Sequence, residues 1–227
     1  MILMRTKTYE IGRFLGIGFS CNVYSLIHGD EVTLIDSGIS ASLAEKLLED
    51  LRKIKASLKI KNLILTHAHL DHTGGAATIV EKFSPNVYAH FNEAEAIMEG
   101  DESRVLTFMF PYGYTPVKVT HVVEDGDLIN LSSGDGLRVI HTPGHTSGSI
   151  CIFDEKNKIL FTGDTIFANG AVGRVDLPSG DAEQLIKSLE KLSQLDVITF
   201  FPGHEEPVMY NASQEIKEIY NRIKMYL

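Results

Sequence analysis

Thr66-His67-Ala68-His69-Leu70-Asp71-His72 sets three imidazoles and one carboxylate within the six residues from His67 to His72. Core packing has little use for so many coordinating groups in so short a stretch. Imidazole and carboxylate together suit zinc, iron or manganese. The stretch follows Leu63-Ile64-Leu65, which reads as a buried strand, and precedes Gly74 and Gly75. A strand that ends in a ligand-bearing loop is how a rigid scaffold presents a site.

Working outward, strands and helices alternate on both sides. Residues 23–27 and 32–35 read as strands joined by a His28-Gly29-Asp30 turn, and Asp36-Ser37-Gly38 closes the second. Ser42 and Glu45 have the spacing of a capping box. Leu43, Leu47, Leu51, Ile54 and Leu58 recur at the interval of one helix face. Residues 60–66 form the strand that delivers the histidines. A helix is expected from Gly75 to near Pro85, a strand at 87–89, and a helix capped by Asn92 and ended by Gly100. Residues 101–118 fit no regular element and read as a pocket mouth, a subunit interface or a loop covering the core. Further strands are expected at 117–123, 128–131, 137–141, 150–153, 159–161 and 197–201. Helices are expected at 181–195 and from Asn211 onward. This alternation predicts a layered α/β domain.

The chain of 227 residues fits one large domain spanning 1–227. With 44% hydrophobic and 22% charged residues it can bury a sizeable core. A net charge of −9 argues against a nucleic-acid footprint, which needs clustered Lys and Arg. Cys21 and Cys151 are too few for a disulfide framework and read as buried free thiols. The stretch from Met1 to Lys7 lacks the apolar core of a signal peptide, and no apolar run reaches membrane-span length. The expectation is a cytoplasmic protein with a small-molecule substrate, no nucleic acid and no membrane, and with room for a homo-oligomer.

More ligand candidates follow apolar runs downstream: His141-Thr142-Pro143-Gly144-His145, Thr162-Gly163-Asp164, and Pro202-Gly203-His204. With the first segment they offer five imidazoles and two carboxylates, counting His67, His69, His72, His145, His204, Asp71 and Asp164. One metal takes three or four such ligands, so the set suits two metals sharing a bridge. His28, His90, His121 and His141 read as ordinary hydrogen-bonded or solvated histidines.

The His67-Ala68-His69-Leu70-Asp71-His72 motif, followed in order by His145, Asp164 and His204, resembles the metallo-β-lactamase superfamily. The resemblance runs from Asp36-Ser37-Gly38 to His204. It implies a four-layer αββα sandwich with the metal site at one edge of the two sheets. It also implies two divalent ions, zinc first and iron or manganese as alternatives. His67, His69 and His145 would hold one ion, Asp71, His72 and His204 the other, and Asp164 would bridge them. Asp36 matches an aspartate that orients a ligand or its loop; the plainer reading is that it closes the turn. Two such ions would supply a hydroxide that persists near neutral pH to attack a carbonyl, and Asp71 would be its hydrogen-bond acceptor and proton carrier.

The resemblance also narrows the reaction. Asp164 stands where antibiotic-hydrolysing members typically carry cysteine, which disfavours a lactam. Phe167 stands where acyl-homoserine lactonases place a tyrosine. Gly173-Arg174-Val175-Asp176-Leu177-Pro178-Ser179-Gly180-Asp181 resembles the segment after the bridging aspartate in glyoxalase II-like thioesterases and persulfide dioxygenases. Arg174 suits a substrate carboxylate; a structural pair with Asp176 is the equal alternative. Tyr112 is a second substrate-binding candidate. One helix follows His204, so the glutathione-gripping C-terminal region of glyoxalase II is not matched. The leading expectation is a glyoxalase II-like thioesterase. An iron-dependent persulfide dioxygenase and a non-enzymatic partner-binding member are the alternatives.

Overall fold

The computed structural model describes residues 2–225; Met1, Tyr226 and Leu227, at the ends of the expected domain, lie outside the described residues. The chain divides into two compact units, residues up to 123 with 130–135, and 124–129 with 136 onward. Each carries a β-sheet with helices packed on it, the α/β class expected from the sequence.

The first unit holds a seven-stranded sheet in sequence order: β1 (Ile2–Arg5), β2 (Glu10–Phe14), β3 (Val23–His28), β4 (Glu31–Ile35), β5 (Lys59–Ile64), β6 (Asn86–His90) and β7 (His121–Val123). β1 to β4 are antiparallel neighbours, and β4 to β7 run parallel. Parallel neighbours need crossovers. These are α1 (Ala41–Ile54), then α2 (Leu70–Thr73) with α3 (Ala76–Phe83), then α4 (Phe91–Glu99) with α5 (Glu102–Val105). Val32, Leu34, Leu63 and Leu65 pack with Leu47, Leu48, Leu51 and Ile79 in the core of this unit. In open parallel sheets, sites form beyond the carboxyl ends of strands. Asp36 follows β4 and His67 follows β5 at those ends.

Several local expectations change. β1 and β2 were not expected, because residues 2–14 lack clean apolar alternation. Ser40, not Ser42, caps α1: Ser40 is extended, and its Oγ accepts the Leu43 N–H at 3.4 Å. Ile54 ends α1 and is 42% exposed, and Leu58 lies past the helix, so the buried face is Ala44, Leu47, Leu48 and Leu51. His90, not Asn92, caps α4, its Nδ1 accepting the Asn92 N–H at 3.2 Å. Within 101–118, Asp101 caps the short α5 by accepting from Ser103 and Arg104. Phe110 and Tyr114 then pack on a cluster of Ile39, Leu70 and Val105, so this stretch covers the histidine segment.

The second unit holds β8 (Leu128–Asn130), β9 (Gly136–His141), β10 (Ile150–Asp154), β11 (Ile159–Gly163) and β12 (Thr199–Pro202), ordered β12-β11-β10-β9-β8. β11 and β12 are parallel, joined through α6 (Ala182–Ser193); α7 (Ala212–Ile223) follows β12. Asp181 caps α6, accepting the Gln184 N–H at 2.9 Å. Leu185, Leu189 and Leu192 of α6 and Ile216 and Ile219 of α7 pack with Leu160 and Phe200. No helix among the described residues is long and apolar enough to cross a membrane.

Both cysteines are free and buried. Burial pushes the Cys21 thiol up to about 12 and the Cys151 thiol up to about 11. A raised pKa keeps each thiol neutral until pH climbs past it, and only the thiolate is the nucleophile. Iodoacetamide at about pH 8 is therefore expected to label neither thiol in the native chain and both after denaturation. Mass spectrometry of labelled protein checks this; rapid native labelling of either would contradict it.

Candidate metal centre

β5 ends at Ile64, and the chain enters the histidine segment held from two sides. Leu65 N–H donates to Tyr88 O of β6 at 2.9 Å. Thr66 N–H donates to Asp36 Oδ1 at 2.8 Å, and the Thr66 hydroxyl lies 3.0–3.1 Å from both Asp36 oxygens. At the far end of the segment, His72 Nδ1 is 2.8 Å from Asp36 Oδ2. Ser37 donates twice to His72 O, from its N–H at 2.8 Å and from its hydroxyl at 2.7 Å. The Asp36-Ser37 turn thus grips both ends of a loop of seven residues. Asp36 takes a φ of +64°, the left-handed region that Asp tolerates better than most residues.

Between those anchors His67, His69, Asp71 and His72 are all buried. The His67 ring centroid lies 4.7 Å from that of His69 and 4.1 Å from that of His72. Asp71 Oδ2 is 3.5 Å from His72 Nε2. The loop can come this close to the preceding turn because Gly74 and Gly75 have no side chains. A Cβ on Gly74 would sit 2.1 Å from Ile39 O, and one on Gly75 would sit 2.2 Å from Ser37 O.

Glu93 is a positioning residue that the sequence reading missed. It is 1% exposed on α4, and its Oε2 accepts the Ala68 N–H at 2.8 Å, between the first two histidines. The available signal was an acid four residues before Ile97, on the buried face of an amphipathic helix.

The second unit gathers the later candidates. Asp164 Oδ2 is 3.8 Å from His145 Nε2 and 3.5 Å from His204 Nε2, so one carboxylate oxygen stands between two imidazoles. His145 Nδ1 is 2.7 Å from Arg174 O. The Gly173-Arg174 backbone runs tight against this group: a Cβ on Gly173 would sit 2.0 Å from Asp164 O and 2.9 Å from the His145 ring. The Arg174 side chain itself is exposed and grips Asp176 with two hydrogen bonds of 3.0 and 2.8 Å. Such an exposed pair adds little stability. The Phe167 ring packs edge-on to His204, with centroids 6.0 Å apart.

The remaining residues fall elsewhere. His28 is exposed with Nδ1 2.6 Å from Thr8 O. His121 stacks on Tyr88, and His141 Nε2 is 2.9 Å from Ser147 O. Tyr112 is exposed on the stretch between α5 and β7.

The donors fit divalent metal ions. Separations of 3.5, 3.5 and 3.8 Å are too long for strong hydrogen bonds. They match the roughly 3.4 Å between two ligands each about 2.1 Å from a tetrahedral ion. The tautomers fit as well. Asp36 fixes the proton of His72 on Nδ1, and Arg174 O does the same for His145. The Thr66 hydroxyl donates to Asp36 and so accepts from His67 Nδ1, 3.1 Å away. Each ring then turns an Nε2 lone pair outward, and ligating histidines typically donate their other N–H in this way. Cys21 also clusters with Asp36 and His72. That cluster reads as support, because Asp36 and His72 Nδ1 are engaged with each other.

Comparison with known proteins agrees with this chemistry. A family model described as the metallo-beta-lactamase superfamily matches residues 16–204. A probable metallo-hydrolase of Methanocaldococcus jannaschii is 37% identical over 84% of this chain and 90% of its own. The hydroxyacylglutathione hydrolase GloC of Haemophilus influenzae is 33% identical over 79% and 84%, and the human acyl-coenzyme A thioesterase MBLAC2 is 30% identical over 85% and 75%. Among solved structures, TTHA1623 in a di-iron-bound form has a TM-score of 0.71 at 31% identity, covering 86% of this chain and 93% of its own. The BLEG-1 B3 metallo-beta-lactamase has a TM-score of 0.72 at 27% identity, covering 87% and 93%. The likeness to ETHE1 from Myxococcus xanthus, with a TM-score of 0.69 at 20% identity over 94% and 90%, is one of fold alone.

If Asp36 sets the tautomer and direction of His72, Asp36→Ala should weaken metal binding by about 10–100-fold, a typical loss for such an outer partner. Chelator competition on folded protein reads this, with circular dichroism as the control for folding. Unchanged affinity would leave Asp36 as a turn residue only.

Proposed function

The chain belongs to the metallo-beta-lactamase superfamily, and on that premise we propose that it is a metal-dependent hydrolase of thioesters, in the glyoxalase II-like branch. The observation that carries the metal-hydrolase part is the anchoring of His67, His72 and His145 through Nδ1, which leaves Nε2 as the donor atom. The thioester part rests on the relatives, since both the hydroxyacylglutathione hydrolase and the acyl-coenzyme A thioesterase are named for acyl groups carried on thiols.

In this proposal His67, His69 and His145 hold one ion, Asp71, His72 and His204 hold a second, and Asp164 serves both. Two such ions, when bound, supply a water of lowered pKa and a positive charge to meet the oxyanion. The other tasks belong to the chain. Asp71 takes the proton of the attacking water at a carboxylate oxygen and returns it to the departing thiolate. Asp36 and Thr66 keep the imidazole protons on Nδ1 throughout. Burial of the histidine segment limits the solvent reorganisation that the reaction demands. Arg174 and Tyr112 are proposed to meet the substrate, Arg174 by exchanging Asp176 for a substrate carboxylate. Zinc is the first choice of metal; the same donors accept iron, and a di-iron form exists for a relative of 31% identity. The proposal further takes 1–227 as one domain of this type, acting in the cytoplasm on a small molecule, without nucleic acid or membrane.

Metal-loaded protein is expected to cleave a panel of acyl thioesters. Asp71→Ala should lower kcat by about 10²–10⁴-fold, and metal analysis should still find the ion held by His67, His69 and His145. Oxygen uptake with a persulfide, and no thioester cleavage, would replace this reading with the iron dioxygenase. Inactivity in both assays with metals fully loaded would leave a partner-binding member of the fold.

A further inference from the structure

Two ligand loops of the second unit start from strands that are not neighbours. Thr142 follows β9, three residues before His145, and Thr165 follows β11, directly after Asp164. Strand β10 lies between β9 and β11, so those two strands stand roughly 9–10 Å apart. Side chains close this gap. The Thr142 and Thr165 hydroxyls meet with their Oγ1 atoms 3.0 Å apart. Cys151, on the intervening β10, brings its Sγ to 3.4 Å from Thr142 Oγ1 and 3.6 Å from Thr165 Oγ1. All three residues are fully buried.

The pair joins two loops that are already stiff. Thr142 N–H donates to Ser149 O at 2.8 Å, closing the base of the loop that carries His145. Inside that loop Pro143 O accepts the Ser188 hydroxyl of α6 at 2.7 Å, and Gly144 O accepts the Asp181 N–H at 2.8 Å. Thr165 reaches His145 by a second route. Its N–H donates to Thr162 O at 3.0 Å, and its carbonyl accepts the Gly173 N–H at 3.5 Å. The next residue is Arg174, whose carbonyl lies 2.7 Å from His145 Nδ1. The bond between the threonines is thus a direct strut from the loop of His145 to the loop of Asp164. Those two side chains meet with Nε2 and Oδ2 3.8 Å apart, a separation that suits two ligands of one ion.

We infer that Thr142 and Thr165, seated on Cys151, are positioning residues that set the spacing of His145 and Asp164 as ligands of one metal ion. The inference rests on the metal-hydrolase reading and does not depend on which bond is cleaved. A valine in place of either threonine keeps nearly the same shape and removes the hydroxyl. The buried hydroxyl opposite then loses a partner, which is costly, and the two loops settle at a spacing set by packing alone. The ligand pair is then no longer held at the separation an ion needs.

Chelator competition on the full chain loaded with Co²⁺ tests this, with circular dichroism as the control for folding and the visible Co²⁺ bands as a readout of ligand geometry. Thr165→Val should weaken Co²⁺ binding by about 10–100-fold, the usual loss for an outer partner of a ligand, and should shift those bands. Thr165→Ser keeps the hydroxyl and should restore most of the affinity and the wild-type bands. Thr142→Val should act in the same direction as Thr165→Val, and it reads the same bond if Thr165→Val fails to fold. Combining the two valines should add little further loss, because both remove one bond. The inference is overturned if both valine variants keep wild-type affinity and bands, whatever happens to thermal stability. It is equally overturned if Thr165→Ser binds as weakly as Thr165→Val, or if the two valine losses add in full. A wild-type chain that holds no Co²⁺ would remove the metal reading itself and the inference with it.

Discussion

The Asp36 carboxylate is the interaction on which the first unit's chemistry rests. It is 2% exposed, and an unpartnered buried carboxylate is costly. Here it is met by the Thr66 N–H, the Thr66 hydroxyl and the His72 imidazole. One side chain at the end of β4 thereby ties together the start and the finish of the loop after β5. Removing it would leave the Thr66 N–H without its acceptor and His72 without the oxygen that orients its ring. The left-handed backbone at Asp36 is a local cost that this bonding offsets.

The remaining loop contacts repeat the same logic at the backbone level. Ser37 holds His72 O, Glu93 holds the Ala68 N–H, and Thr73 Oγ1 donates to Ala68 O and His69 O at 3.1 Å each. Few polar groups of the segment are left to solvent, so the imidazoles are held in place before any ion arrives. That is what a preorganised donor set requires. In the second unit the equivalent holder is a backbone carbonyl, Arg174 O on His145. This gives the 173–181 segment a structural task that its side chains did not announce.

Legibility differed by the range of the forces involved. α6 was readable because Asp181 and the Leu185, Leu189 and Leu192 repeat act locally. α1 was readable as a helix but not at its ends: Ser40 and Ser42 are both chemically fit to cap, and only the extended backbone at Ser40 decides between them. β1 and β2 do not show in the sequence pattern because an antiparallel edge gains its stability from pairing, β1 with β2 and β2 with β3, rather than from its own pattern. His90 carried the residue type of a ligand and serves as a helix cap. Glu93 carried the type of a surface acid and is buried on α4, holding the histidine loop through Ala68.

By itself the sequence determined the superfamily and the α/β class and named the candidate donors, because metal chemistry demands particular side chains in a particular order and spacing. The tertiary structure decided how those donors are prepared. It set which nitrogen of His67, His72 and His145 carries the proton, which oxygen of Asp164 stands between two imidazoles, and which remote residues, Asp36 and Glu93, hold the loop. These are matters of distance between residues far apart in the chain, and a linear pattern carries no information on distance until the strands that bear them have paired.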